Sequence, residues 1–165
     1  MMRGMATWSD VTAAAPDLAD KVKARFEATG LAFLATLRRD GSPRITGVEP
    51  AFWDGEVWLG MMERSLKALD LRRDPRLALH AATADKDVKE GDAKLAGRAD
   101  EIVDDAGKTR FLDAFREATE SPDPPGGFHL FRVDVAEASF LRPAGDHLAI
   151  DVWTEDGGAR TVARY

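Results

Sequence analysis

Arg64, Ser65 and Lys67 are the residues of this chain whose types and spacing could do chemistry, because they stand where a strand-like run ending in Met61-Met62 turns into a short helix. A helix N-terminus exposes unpaired N–H groups and about half a unit of positive charge, so cations there cost stability unless an anion sits among them. A phosphate resolves the conflict. Ser65 would cap the helix, Lys67 would reach forward, Arg64 would lie adjacent, and the first amides would point at the ligand. The plainer reading of the same residues is a serine cap beside a solvated lysine.

Other chemistries find less support. The chain has no cysteine, which excludes disulfides, thiolate nucleophiles and zinc–thiolate sites together, so any redox chemistry must belong to a bound cofactor. His80, His129 and His147 are far apart and lack paired ligand spacing, so no metal site is expected. Neither a nucleophile elbow nor a phosphate-cradling glycine loop is present, and Asp104-Asp105 reads as a helix cap rather than an acid/base pair. No side chain stands out as a proton donor, and no catalytic residue is assigned. Arg72, Arg73 and Arg76 read as cations at a helix C-terminus, where they complement the dipole.

The 165 residues, 44% hydrophobic and 32% charged, make one domain of ordinary size. Positions 1–30 form an N-terminal arm and helix, and positions 31–165 a barrel with inserted helices. A net charge of −6 disfavours nucleic-acid and anionic-membrane binding. No apolar run is long enough to span a bilayer and none follows Met1-Met2-Arg3-Gly4-Met5 as in a signal peptide, so a cytoplasmic location is expected.

The elements that must position the site follow from periodicity and turn chemistry. Pro16 and Asp17 open a helix with Leu18, Val22 and Phe26 spaced by four, ended by Gly30. Three strand-like runs, Leu31 to Arg38, Pro43 to Trp53 and Glu56 to Met61, are separated by Asp40-Gly41 and Asp54-Gly55, which predicts a three-stranded antiparallel meander. The Ser65 helix must stop by Asp74, the residue before Pro75. Strands follow at Leu77 to Ala81 and Ala93 to Val103, with a charged loop between. A helix carrying Phe111, Leu112 and Phe115 comes next, then a break at Ser121-Pro122-Asp123-Pro124-Pro125-Gly126-Gly127. Phe128 to Leu141 alternates as a strand, and His147 to Trp153 and Ala159 to Val162 flank Asp156-Gly157 as a last hairpin. Seven or eight antiparallel strands with three inserted helices point to a small barrel. Trp53, Trp58 and Trp153 are expected to pack into a core or interface, although Trp153 could instead cover a cofactor.

Leu34-Ala35-Thr36-Leu37 before Asp40-Gly41-Ser42-Pro43, Asp54-Gly55 before Trp58-Leu59-Gly60, and Ser65-Leu66-Lys67 before Asp70-Leu71-Arg72-Arg73-Asp74-Pro75-Arg76 resemble, in order and spacing, the pyridoxamine 5′-phosphate oxidase-like split β-barrels. That family includes flavin- and deazaflavin-dependent oxidoreductases. The resemblance implies a mainly β, antiparallel split barrel with inserted helices, and a cofactor phosphate held at Ser65 and Lys67 with Arg64 adjacent. It further implies that the cofactor ring lies near Gly47, Val48, Gly60, Met61 and Met62, in a cleft between the subunits of a homodimer. The cofactor would be FMN or the deazaflavin coenzyme F-420, passing hydride or electrons to a small organic substrate. Gly60 and Met61 stand where many members carry hydroxyls, Asp70 where Asn is frequent, and Glu49 could face the ring edge. These departures fit a variant pocket, a deazaflavin site, a non-catalytic cofactor- or haem-binding barrel, or a barrel whose site has decayed.

Overall fold

The computed structural model describes residues 6–119, 122–123 and 127–165; Met1 to Met5 and positions 121 and 124–126 of the predicted break lie outside the described residues. Two helices open the chain, α1 (Trp8–Ala14) and α2 (Pro16–Thr29). The sequence reading missed α1, which begins at a reciprocal cap: the Thr7 hydroxyl accepts from the Asp10 amide, and the Asp10 carboxylate accepts from the Thr7 amide. Asp10 stands where Glu or Gln is usual, so the cue is weak. α2 carries Leu18, Val22 and Phe26 into the core as the spacing predicts, and Gly30, at φ 64, closes it with its N–H on the Phe26 carbonyl.

Nine strands follow among the described residues, with two more helices between them. They are β1 (Ala32–Leu37), β2 (Pro43–Val48), β3 (Pro50–Trp53), β4 (Glu56–Met62), α3 (Leu66–Arg73), β5 (Arg76–Ala81), β6 (Asp92–Glu101), α4 (Asp105–Ala118), β7 (Phe128–Ala144), β8 (His147–Thr154) and β9 (Gly158–Arg164). The expected single strand from Pro43 to Trp53 is two strands. Pro50 has no N–H to give a ladder, and the chain changes partners there: β2 pairs with β1, β3 with β4. The predicted meander is therefore split between two hairpins.

That split closes the barrel. β2 and β3 occupy opposite ends of the antiparallel path β2-β1-β5-β6-β7-β4-β3. In a flat sheet they would lie roughly 29 Å apart, six gaps of about 4.8 Å each. Yet only Glu49 joins them. A one-residue link reaches at most about 7.6 Å between flanking Cα atoms, two steps of about 3.8 Å, so the sheet must curl until its ends meet. β7 runs beyond the barrel and carries β8 and β9 as an outer hairpin.

Two apolar clusters result. The inner one combines α1, α2 and the inward residues of the strands, including Leu34, Leu59, Leu79, Leu95, Phe131 and Val133. The other lies under α4, where Trp58, Phe111 and Leu130 are buried and Trp53 meets Phe111 and Phe115 at ring centroid distances of 5.8 Å. Trp58 and Trp153 are both buried packing residues. At the β6–β7 bulge beside Gly97, a Cβ on that residue would lie 2.0 Å from the Asp134 carbonyl oxygen, so only glycine fits.

Candidate functional site

Ser65 begins α3 from an extended conformation, φ −62 and ψ 139, and its Oγ accepts from the Ala68 amide at 3.4 Å. The first turn of α3 holds no acid. Leu66 and Lys67 are the first helical residues, so their amides have no carbonyl one turn back to reach. Ahead of the cap, the Ser65 N–H donates to the Met62 carbonyl at 3.1 Å, and Arg64 takes φ 63, a left-handed conformation unusual for a residue with a side chain.

Lys67 is half-buried, and its ammonium donates to the Gly47 carbonyl at 2.6 Å. Burial holds its pKa below the usual lysine value, against the opposing pull of the Glu49 carboxylate. This contact brings together two predicted site residues that lie 20 positions apart in the chain. It also answers part of the charge conflict at the helix start, because one of the three ammonium protons already has an acceptor within the protein.

The other predicted residues divide by face. Gly47, Gly60, Met62 and Arg64 are exposed, Met62 to 81%. Val48 and Met61 point into the inner core at 4% exposure each, so a ligand could meet them only through their backbone. A Cβ on Gly60 would find no atom within 4 Å, which marks a flat, open stretch of strand.

The structure adds residues to which the sequence reading gave no part in holding the site. Asp70 is 3% exposed and accepts from the Thr36 hydroxyl at 2.9 Å, Arg44 Nε at 2.6 Å and Arg73 Nη2 at 3.1 Å. Burial alone would raise its pKa, but these hydrogen bonds outweigh it and hold the carboxyl below its usual value. Arg73 also donates to the Leu37 carbonyl. Lys67, Asp70 and Arg73, three apart, thus fasten α3 to the β1–β2 hairpin. Thr36 and Arg44 could have been noticed, since they are polar residues at inward positions of alternating strands. The Thr46 hydroxyl, next to Gly47, is buried without a hydrogen-bond partner. His129 also reaches the mouth, its Nε2 accepting from the Arg64 amide at 3.4 Å.

Of the other cations, Arg72 lies in the last turn of α3 as expected, whereas Arg76 is not a helix-end residue but the first residue of β5. Arg72 pairs with Glu101 at 2.9 Å and Arg76 with Asp74 at 2.6 Å, the latter holding the Asp74 carboxyl at about 2. His80 and His147 each pair with one acid, Asp92 and Asp146. An open groove of about 910 Å³ between α4 and the β3–β4 turn contains none of the predicted site residues, and Arg110 on its wall is tied to Asp54.

The residues at the α3 mouth fit a phosphorylated planar ligand. A serine hydroxyl, two unpaired amides and two further ammonium protons lie beside two residues without side chains, Gly60 with open space around it and Gly47, where a Cβ would meet Leu31 Cδ1 at 3.6 Å.

A mainly antiparallel barrel split between two hairpins, with a cationic helix mouth beside it, defines the class. The chain belongs to the pyridoxamine 5′-phosphate oxidase family, whose model matches residues 18–142. No curated protein matches it. Among solved structures it is similar to an FMN-binding, pyridoxamine 5′-phosphate oxidase-related protein of Nostoc punctiforme, at 15% identity and a TM-score of 0.64, over 92% of this chain and 96% of that one. It is also similar to PhzG of Burkholderia lata 383, solved with tetrahydrophenazine-1-carboxylic acid, at 17% identity and a TM-score of 0.60, over 93% and 91%. A haem-binding protein of Mycobacterium smegmatis matches at 24% identity and a TM-score of 0.58; the similarity covers 82% of this chain but only 58% of that one. At these identities the likeness shows the shared fold.

Proposed function

We propose that this protein binds a flavin-type cofactor, FMN or the deazaflavin coenzyme, by its phosphate at the α3 mouth, and transfers hydride or electrons to a small organic substrate. The observation that carries the reading is the first turn of α3. It holds no acid, is capped by Ser65 and flanked by Arg64 and Lys67, and opens beside exposed Gly47 and Gly60. The cofactor, when bound, supplies the redox chemistry. Ser65, Lys67 and Arg64 would hold the phosphate, and the lack of side chains at Gly47 and Gly60 would let a ring lie flat with one face toward substrate. The FMN-binding relative from Nostoc supports the flavin assignment. A homodimer with the cofactor cleft between subunits is part of the same reading, supported by the exposed Leu31, Phe33 and Ile45 on β1, β2 and their margin.

A second reading is a non-catalytic barrel that binds haem or no cofactor. It is favoured by the bond between Lys67 and Gly47, which satisfies the lysine in part without a ligand. The visible spectrum of the purified protein separates the two: a flavin band supports FMN, a Soret band supports haem. A colourless protein is titrated with FMN and with the deazaflavin. Lys67→Ala is expected to weaken cofactor binding by about 1–3 kcal/mol, the worth of a charge-assisted hydrogen bond. Unchanged affinity removes Lys67 from the phosphate site.

A further inference from the structure

Arg64 holds a left-handed backbone at φ 63 immediately before the cap of α3. Such strain persists only where the surroundings over-determine it. Here the Arg64 N–H donates to His129 Nε2 at 3.4 Å, and His129 Nδ1 lies 3.0 Å from Glu101 Oε1. Because Nε2 accepts, the ring proton sits on Nδ1 and is donated to Glu101. The second oxygen of Glu101 accepts from Arg72 Nε at 2.9 Å, and Arg72 belongs to α3 itself. A circuit therefore runs from the Arg64 turn through β7 and β6 and returns to the helix that the turn begins. The imidazole is 14% exposed and lies against Phe131, with ring centroids 6.3 Å apart and planes 26° from parallel, which fixes its orientation.

We infer that His129 is a positioning residue for the anion at the α3 mouth, holding the Arg64 turn through a hydrogen bond that only the neutral imidazole can make; this rests on the cofactor reading above. The charged groups around the ring are Glu101 from β6, Arg72 from α3, and Arg64 and Glu63 at the turn; on β4 its cross-strand neighbour is Met61. Glu63 leans toward Gly127, just before β7. A protonated imidazole carries two donors and no acceptor. Protonation would set an N–H against the Arg64 N–H, release the turn, and misplace Ser65 and the first amides of α3. Anion affinity would fall with it.

The test is to titrate FMN, the deazaflavin coenzyme and inorganic phosphate into wild type, His129→Gln and His129→Phe at steps between about pH 5 and 8. Gln supplies an acceptor that does not titrate, so at the alkaline end it should bind within about twofold of wild type, while Phe should bind about tenfold more weakly, the loss of one hydrogen bond. As pH falls, wild type should lose affinity relative to His129→Gln; taking the ratio removes the titration of the phosphate itself. Circular dichroism melts establish that each variant is folded, and the wild-type to Gln ratio decides the matter without the Phe variant. If wild type binds none of the three ligands, the cofactor reading and this inference fall together. If wild type binds, but its affinity relative to Gln is flat or rises toward acid, or Gln is as weak as Phe, the inference alone is overturned.

Discussion

Two buried carboxylates of opposite character show how context sets the behaviour of a residue. Asp70 is surrounded by Thr36, Arg44 and Arg73 at hydrogen-bonding distance, and its pKa is lowered. Glu56 is 4% exposed, with Arg110 and Arg132 no closer than 3.6 Å and Oε2 without a partner; burial raises its pKa against the pull of both arginines. The pH consequences have opposite signs. The folded-state pKa of Asp70 lies below the ordinary 3.8, so its stabilisation is complete above that value and is lost as pH falls through the folded-state value. Asp70→Ala should cost about 3 kcal/mol at neutral pH, the low end for breaking a buried pair because Arg73 keeps some solvent. The cost should shrink in acid, as urea unfolding at several pH values would measure. For Glu56 the folded-state pKa lies above 4.5, so wild type loses stability as pH rises from that value through the raised one. Glu56→Gln should therefore melt at or above wild type at pH 7, with a smaller advantage at pH 4; a lower melting temperature at pH 7 would show that the arginines need the charge. Neither arrangement was legible in the chain itself. Asp70 and its partners Thr36 and Arg44 are 34 and 26 positions apart, and only the folded hairpin brings them together.

At the scale of elements, local rules carried much of the structure. Pro16 and Gly30 bound α2 as expected, and Asp54 and Gly55 both take positive φ in the β3–β4 turn. Ser65 and Asp74 mark the limits of α3, with Asp74 as its C-cap. What local rules missed were events decided by the partner strand: the change of partner at Glu49-Pro50 and the bulge at Ala96/Gly97. Gly97 lies in a run that alternates well enough to be read as uninterrupted strand. Gly97→Ala should destabilise the protein by about 1–3 kcal/mol, since the new methyl group would meet Asp134 backbone rather than a side chain able to yield. Chemical denaturation would test this, and a change within error of zero would mean that the bulge can relax.

For the whole molecule, the apolar outer surface of the β1–β2 hairpin gives the proposed homodimer its test. Phe33 is 46% exposed and Ile45 72% exposed. The double change Phe33→Glu/Ile45→Glu should convert the dimer to a monomer by light scattering without shifting the circular dichroism spectrum. A wild-type monomer would sink the dimer reading, and an unaltered dimer would place the interface elsewhere. The sequence by itself determined the antiparallel strands, the start and end of α3, and the meeting of Ser65 with positive charge at a helix N-terminus, because turns, caps and dipoles act over a few residues. Tertiary structure alone decided how the hairpins join into one sheet, that one residue between β2 and β3 closes the barrel, that Lys67 reaches Gly47, and that His129 and Asp70 sit behind the site. Those outcomes depend on burial and on contacts between residues far apart in the chain, 20 positions for Lys67 and Gly47 and 65 for Arg64 and His129, which no local pattern records.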